Sequence, residues 1–142
     1  MISLIFLSFG LAVQTPSHDV HGIWVTDAGG HIQLDACASD ETKLCGALID
    51  APELRTNPEL TDGRNPDEAL RSRPLRGVLI VDGFEPNGDE WRAGQIYDPE
   101  EGVVVTRGRL RHVEDDLVEL RGCVAMFCRT VRWTRLPDAE QR

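Results

Sequence analysis

Positive charge is scarce in this chain. Its 142 residues carry 15 Lys and Arg against 24 Asp and Glu, a net charge of −9 at neutral pH. That balance excludes a nucleic-acid binder working through counterion release, which needs clustered cations. A bilayer-length apolar run is missing too: 2–13 is uncharged for about a dozen residues, whereas a helical span takes about 20. The run reads as the apolar core of a secretory signal, with Gly10 and Ala12 supplying small residues for cleavage after Ala12. It lacks the basic residues that usually precede such a core, and a buried first strand is the alternative reading. No Cys follows it, so a lipid anchor is disfavoured. The expectation is a signal peptide over 1–12, no membrane span in the mature chain, and a periplasmic or secreted location. Catalytic signatures are absent as well. There is no Gly-x-Ser-x-Gly, no His-Glu-x-x-His and no phosphate loop, so neither an enzyme nor a cofactor is expected.

What is present is an ordinary globular mix, 41% apolar and 27% charged, of a length that suits one domain. That domain is placed over 20–137. Four cysteines form two close pairs, Cys37 with Cys45 and Cys123 with Cys128. Neither pair is Cys-x-x-Cys, and His18, His21, His31 and His112 do not surround them at ligand spacing. Structural disulfides in an oxidising compartment are therefore expected, and no metal.

After the leader, short β-type runs alternate with turn clusters. The runs are 21–26, 31–38, 44–51, 77–84, 91–98, 103–112, 117–124 and 127–136. Turns fall at 27–30, 40–42, 85–89, 99–102, 114–116 and 125–126. The expected fold is all-β: an eight-stranded antiparallel up-and-down barrel, wide enough for side chains or one small ligand. One link, 52–76, is long. Within it Asn65 as cap, Pro66 at the first helical position and the acids Asp67 and Glu68 predict a short helix over 66–72.

The hairpins give a sharper reading. If Cys123 faces Cys128, then Glu119 faces Arg132 and Arg121 faces Thr130, an outer polar face. The opposite face carries Val118, Leu120, Gly122 and Val124 against Phe127, Arg129, Val131 and Trp133. The same trial on Cys37 and Cys45 turns Ile32, Leu34, Ala36, Gly46 and Leu48 inward and leaves Gln33, Asp35 and the cysteines outward. Local disulfides fit both hairpins. Parity of an up-and-down chain puts Trp24, Trp91 and Trp133 at one end, as a packed barrel floor rather than a ligand-stacking surface.

Gly22-Ile23-Trp24 on the first strand, with Arg135 beyond Trp133 on the last, resembles the lipocalin-type (calycin) arrangement, in which a first-strand Trp crosses the barrel floor beneath a last-strand Arg. A larger set of blocks resembles domain-of-unknown-function family 2147, small exported bacterial proteins. These are Gly22-Ile23-Trp24, Leu44-Cys45-Gly46, Asn65-Pro66-Asp67, Leu70-Arg71-Ser72-Arg73-Pro74-Leu75 and Gly77. They continue with Trp91, Gly94, Tyr97-Asp98-Pro99, Gly102, Arg121-Gly122-Cys123, Cys128-Arg129-Thr130 and Trp133-Thr134-Arg135. The resemblance covers 22–136 and implies a lipocalin-like periplasmic barrel with no established activity. The chain departs from the family pattern at Val103, Val105 and Val131, which implies a more apolar site if those positions line one.

Arg129 draws attention because an unpaired guanidinium on an inward face is costly. A carboxylate headgroup would satisfy it bidentately; an internal ion pair with Asp98 or an acid of the long loop is the bland alternative. Arg71 and Arg73 rise from the loop over the same mouth, or are simply surface arginines. Arg107, Arg109 and Arg111 share one face of the sixth strand, read as a solvated outer stripe. The acids Asp62, Asp67, Glu68, Asp98 and Glu100 have no spacing that suggests catalysis or Ca²⁺ binding. The expected function is non-catalytic binding of a small apolar or amphipathic, carboxylate-bearing ligand. Leu34, Ile32, Leu120, Val131 and Phe127 would form the wall, Arg129 with Arg71, Arg73 and Asp98 the polar site, and 65–73 the lid. The alternative is a protein-binding module such as an inhibitor of an envelope enzyme. An open interior favours the first reading and a filled one the second.

Overall fold

Strands form where apolar and polar residues alternate, because a sheet with one buried face selects that period. The computed structural model describes Gly10 and residues 19–141, so the proposed signal segment lies, but for Gly10, outside the described residues, as does His18. Eight strands follow in order: β1 (Gly22–Val25), β2 (His31–Ala36), β3 (Leu44–Asp50), β4 (Leu79–Asn87), β5 (Glu90–Asp98), β6 (Val103–Glu114), β7 (Leu117–Val124) and β8 (Phe127–Arg135). They close in chain order, every neighbouring pair antiparallel, with β8 returning to β1. The barrel expected from the sequence is the fold.

The register of the last hairpin is also as expected: Glu119 faces Arg132, Leu120 faces Val131, Gly122 faces Arg129 and Cys123 faces Cys128. Disulfides join Cys37 to Cys45 and Cys123 to Cys128. Alternation with inward Leu44 and Gly46 keeps Cys45 on the outer face as expected, yet the first pair is buried there, and the Cys45 sulfur lies 3.4 Å from an Asp82 carboxylate oxygen. Ala36, expected inward, is exposed where β2 ends. The turn expected over 85–89 shrinks to Gly88-Asp89, because Gly88 adopts the left-handed conformation (φ 65°) that a two-residue hairpin requires.

The barrel interior is filled. Trp24, Ile32, Leu34, Leu44, Val81, Phe84, Leu110 and Val118 are fully buried in one cluster. Inward-facing Gly94 and Gly108 leave room for the Phe84 ring. A Cβ at Gly94 would overlap that ring, and one at Gly108 would lie 2.5 Å from its Cζ. Phe84 on β4 thus lies over the neighbouring β5 and β6, and its ring fills the interior there.

The floor is locked from outside. The guanidinium of Arg135 stacks 4.3 Å from the Trp24 ring centre and donates to the carbonyl oxygens of Asp19, His21 and Asp115 at 2.8–2.9 Å. Gly22, at φ 134°, is what lets it in, since a Cβ there would lie 2.6 Å from the guanidinium. The Trp24 indole donates to the Val20 carbonyl at 2.9 Å. Trp133 is buried beside Val118, and Trp91 is half-buried one pleat higher, opposite Leu110.

The other end is stoppered by a helix that the sequence reading missed. α1 (Pro52–Thr56) starts on Pro52 with Glu53 in its first turn, and its Leu54 is fully buried in the barrel cluster. The helix expected over 66–72 is a correction: only one 3-10 turn forms, Glu68–Leu70, and its cap is Asp67, which accepts from the Ala69 amide. Asn65 does not cap a helix. Its oxygen accepts from the Asp67 amide and its NH₂ is committed to Asp62, because burial under the loop draws it inward.

Candidate functional site

The long loop after β3 zips onto itself. Leu75 N–H donates to Leu60, Asp62 N–H to Arg73, and Thr61 bridges Pro74. The zip presents Asp62, 1% exposed, to three donors. Arg73 approaches it through two nitrogens at 2.8 and 2.9 Å, Asn65 donates at 2.8 Å, and the Tyr97 hydroxyl donates to its other oxygen. Burial alone would raise the Asp62 pKa, but these donors outweigh it and hold the carboxyl below its ordinary range. Burial and the neighbouring carboxylate push the Tyr97 phenol up to about 12. Each buried polar group here satisfies another, so the cluster clamps the loop to β5.

Tyr97 fixes where the loop lies. Ile96 faces into the barrel against Gly122, so Tyr97 is on the outer face. The 65–73 segment therefore packs on the outer wall of β4–β6 and is not a lid over the mouth. Between loop and wall runs an open groove of about 700 Å³, lined by residues that include Pro66, Leu70, Arg73, Leu79, Asp82, Gln95 and Val104. Of the wall and polar-site residues expected to contact a ligand, Arg73 alone lines this groove, tied to Asp62, beside Asn65, Pro66, Asp67 and Leu70 of the expected lid. Arg71 is exposed and donates to the Asn65 carbonyl. Asp98 accepts from the amides of Glu100 and Glu101 and shapes the β5–β6 turn.

The remaining expected residues separate by height. Leu34, Ile32 and Leu120 are buried in the filled core, and Val131 is half-buried at its upper edge. Above that edge the β7–β8 hairpin continues past the packed interior. Arg129 has the expected parity, opposite Gly122, yet it is exposed, as is Phe127 at 81%. Arg129 is thus not a buried anchor, and no carboxylate need neutralise it: alternation gives the face of a strand but not the height at which the core ends. Met126 at 90% and Val124 at 56% join Phe127 in an apolar tip, with Val103 exposed at the same end of β6. Among the described residues one group of possible metal ligands converges, Cys37, Cys45 and Asp82, and its sulfurs are spent in the disulfide.

Residues 22–135 match a family described as "Uncharacterized protein conserved in bacteria (DUF2147)". The chain belongs to this family. The DUF2147 match spans the barrel from the first residue of β1 to the last of β8. Among solved structures the chain is similar to protein HP1028 from the human pathogen Helicobacter pylori, described as belonging to the lipocalin family. The TM-score is 0.73 over 86% of each chain at 18% identity, a likeness of fold. No curated protein matches the chain. In this DUF2147 barrel the reading from sequence missed two features, the Asp62–Tyr97 clamp and the Leu54 stopper. Pro52-Glu53 is a helix-start signal that could have revealed the stopper. No local pattern marks Asp62 as buried.

Proposed function

We propose that this DUF2147 protein is an exported, periplasmic, non-catalytic binding protein that meets its target through the β7–β8 tip, at the stoppered end of the barrel. The observation that carries this reading is the contrast between a filled, stoppered interior and a bare apolar tip at Val124, Met126 and Phe127. A ligand enclosed in the barrel would have to displace Leu54 and Phe84. Apolar side chains left this open mark an interaction surface. Two disulfides and the apolar run 2–13 support export. Asp62, Tyr97, Asn65 and Arg73 satisfy one another, which leaves no free base or nucleophile there and supports a role without catalysis.

Native mass spectrometry of detergent-free protein, paired with an environment-sensitive apolar dye, tests the reading. The expected result is a bare chain whose dye binding is lost in the Met126→Ser/Phe127→Ser double variant. A small molecule retained at one per chain, or dye binding indifferent to the tip, would overturn it.

A further inference from the structure

We propose that the β7–β8 tip is a wedge that docks the protein on an anionic lipid surface. Its apolar residues would enter the boundary between headgroups and acyl chains, and the arginines behind them would bind lipid phosphates. This inference rests on the tip reading above and names its target.

Three observations converge. First, Val124, Met126 and Phe127 crowd a two-residue turn that projects beyond the packed core. Such a tip is narrow and convex, a shape that enters a soft boundary without needing a matching cleft. Second, the Cys123–Cys128 disulfide sits directly behind the turn, with its Cα atoms 4.0 Å apart. The wedge is therefore already formed, and little conformational freedom is lost on docking. Third, Arg121 and Arg129 stand exposed on opposite faces just behind the tip, opposite Thr130 and Gly122. Neither lies within ion-pair distance of an acid among the described residues.

The spacing fits the layers of a bilayer surface. Arg129 is three residues from Met126, and Arg121 is four from Ala125, so each lies roughly 10–13 Å behind the tip at ~3.3 Å per residue. Interfacial apolar groups sit about 5–10 Å deep, and a long Arg side chain reaches forward to the phosphates. Of the four arginines of β7 and β8, Arg132 is paired with Glu119 and Arg135 is committed at the floor, which leaves Arg121 and Arg129 beside the tip to meet anionic headgroups. The chain carries a net −9, and Glu100 and Glu101 lie in the β5–β6 turn at the same end, so the attraction is local to the tip and works within a Debye length of the surface.

Vesicle flotation tests this. Wild type, Met126→Ser/Phe127→Ser and Arg121→Gln/Arg129→Gln are mixed with phosphatidylglycerol/phosphatidylethanolamine vesicles or with phosphatidylcholine vesicles. Residues 1–12 are common to all three proteins, so differences between them read the tip. Wild type is expected to float with the anionic vesicles far more than with the neutral ones. The serine variant should lose that preference, and the glutamine variant should bind about thirtyfold more weakly, with added salt mimicking the loss. Equal binding to both vesicle types, or a double variant that floats like wild type, overturns the proposal. If dye binding still depends on the tip while the vesicles are ignored, the tip reading stands and its target is a protein cleft. If dye binding is also independent of the tip, both readings fall.

Discussion

Tyr97 is the sole tyrosine of the chain, so tyrosinate absorbance reads its titration without deconvolution. In the folded protein the phenol is buried and donates to the Asp62 carboxylate, which together push its pKa up to about 12. Unfolded, it should titrate near 10. Between those values the unfolded chain has lost the proton and the folded one keeps it, so stability falls as pH rises. The stabilisation is whole below pH ~10 and gone once the pH has passed through about 12. Two pH units at ~1.4 kcal/mol each make this about 3 kcal/mol. The Tyr97→Phe variant removes the donor and should cost about 2 kcal/mol at neutral pH, the scale of a hydrogen bond to a charged group. For a domain of this size that is a Tm drop of roughly 5–10 °C. Its stability should also lack the alkaline decline that the phenol contributes. The assays are an absorbance titration of native and urea-unfolded protein, and thermal melts across alkaline pH. A native phenol titrating near 10, or a Phe variant with the wild-type alkaline profile, would refute the clamp.

Four further outcomes can be checked by equilibrium or thermal unfolding. Asp62 has a folded pKa below its ordinary value, so its stabilisation is present above pH ~4 and lost as pH falls through the depressed value; Asp62→Asn should be less stable at neutral pH and flatter in acid. Gly94→Ala forces a methyl into the Phe84 ring and should cost about 3 kcal/mol or more, partly recovered by adding Phe84→Leu. Arg135→Ala strips three carbonyls and the Trp24 face of their partner and should cost about 3 kcal/mol, with Arg135→Lys recovering only part. Ala125→Gly should stabilise by up to ~1 kcal/mol, because Ala125 holds a left-handed φ of 54° in the tip turn.

Most of the barrel was legible because two-residue periodicity and cysteine pairing constrain the same hairpins. Once Cys123 faces Cys128, every partner from Leu117 to Val124 is fixed, and the observed register follows it. The floor was legible through Gly22, Trp24 and Arg135, where sequence spacing and shape agree. The site was less so. Arg129 alternates like an inward residue but stands above the core, and the height of a core depends on which side chains fill it. Phe84 fills it by lying over Gly94 of β5 and Gly108 of β6, and no local window contains the farther of those two contacts. Asp62 becomes buried only because the loop zips over Tyr97, 35 residues away.

The ring is joined where its first and last strands meet, and that join holds only two registered pairs, Trp24 with Arg135 and Val25 with Thr134. A growing chain that has made seven strands therefore still exposes two raw sheet edges, and neither can be quenched until the eighth strand arrives. Edges of that kind template pairing between molecules. The Arg135 clip, reaching back 114 residues to His21, is thus also a completion signal. A chain cut short before Thr134 would leave an open sheet ready to stack on its neighbours.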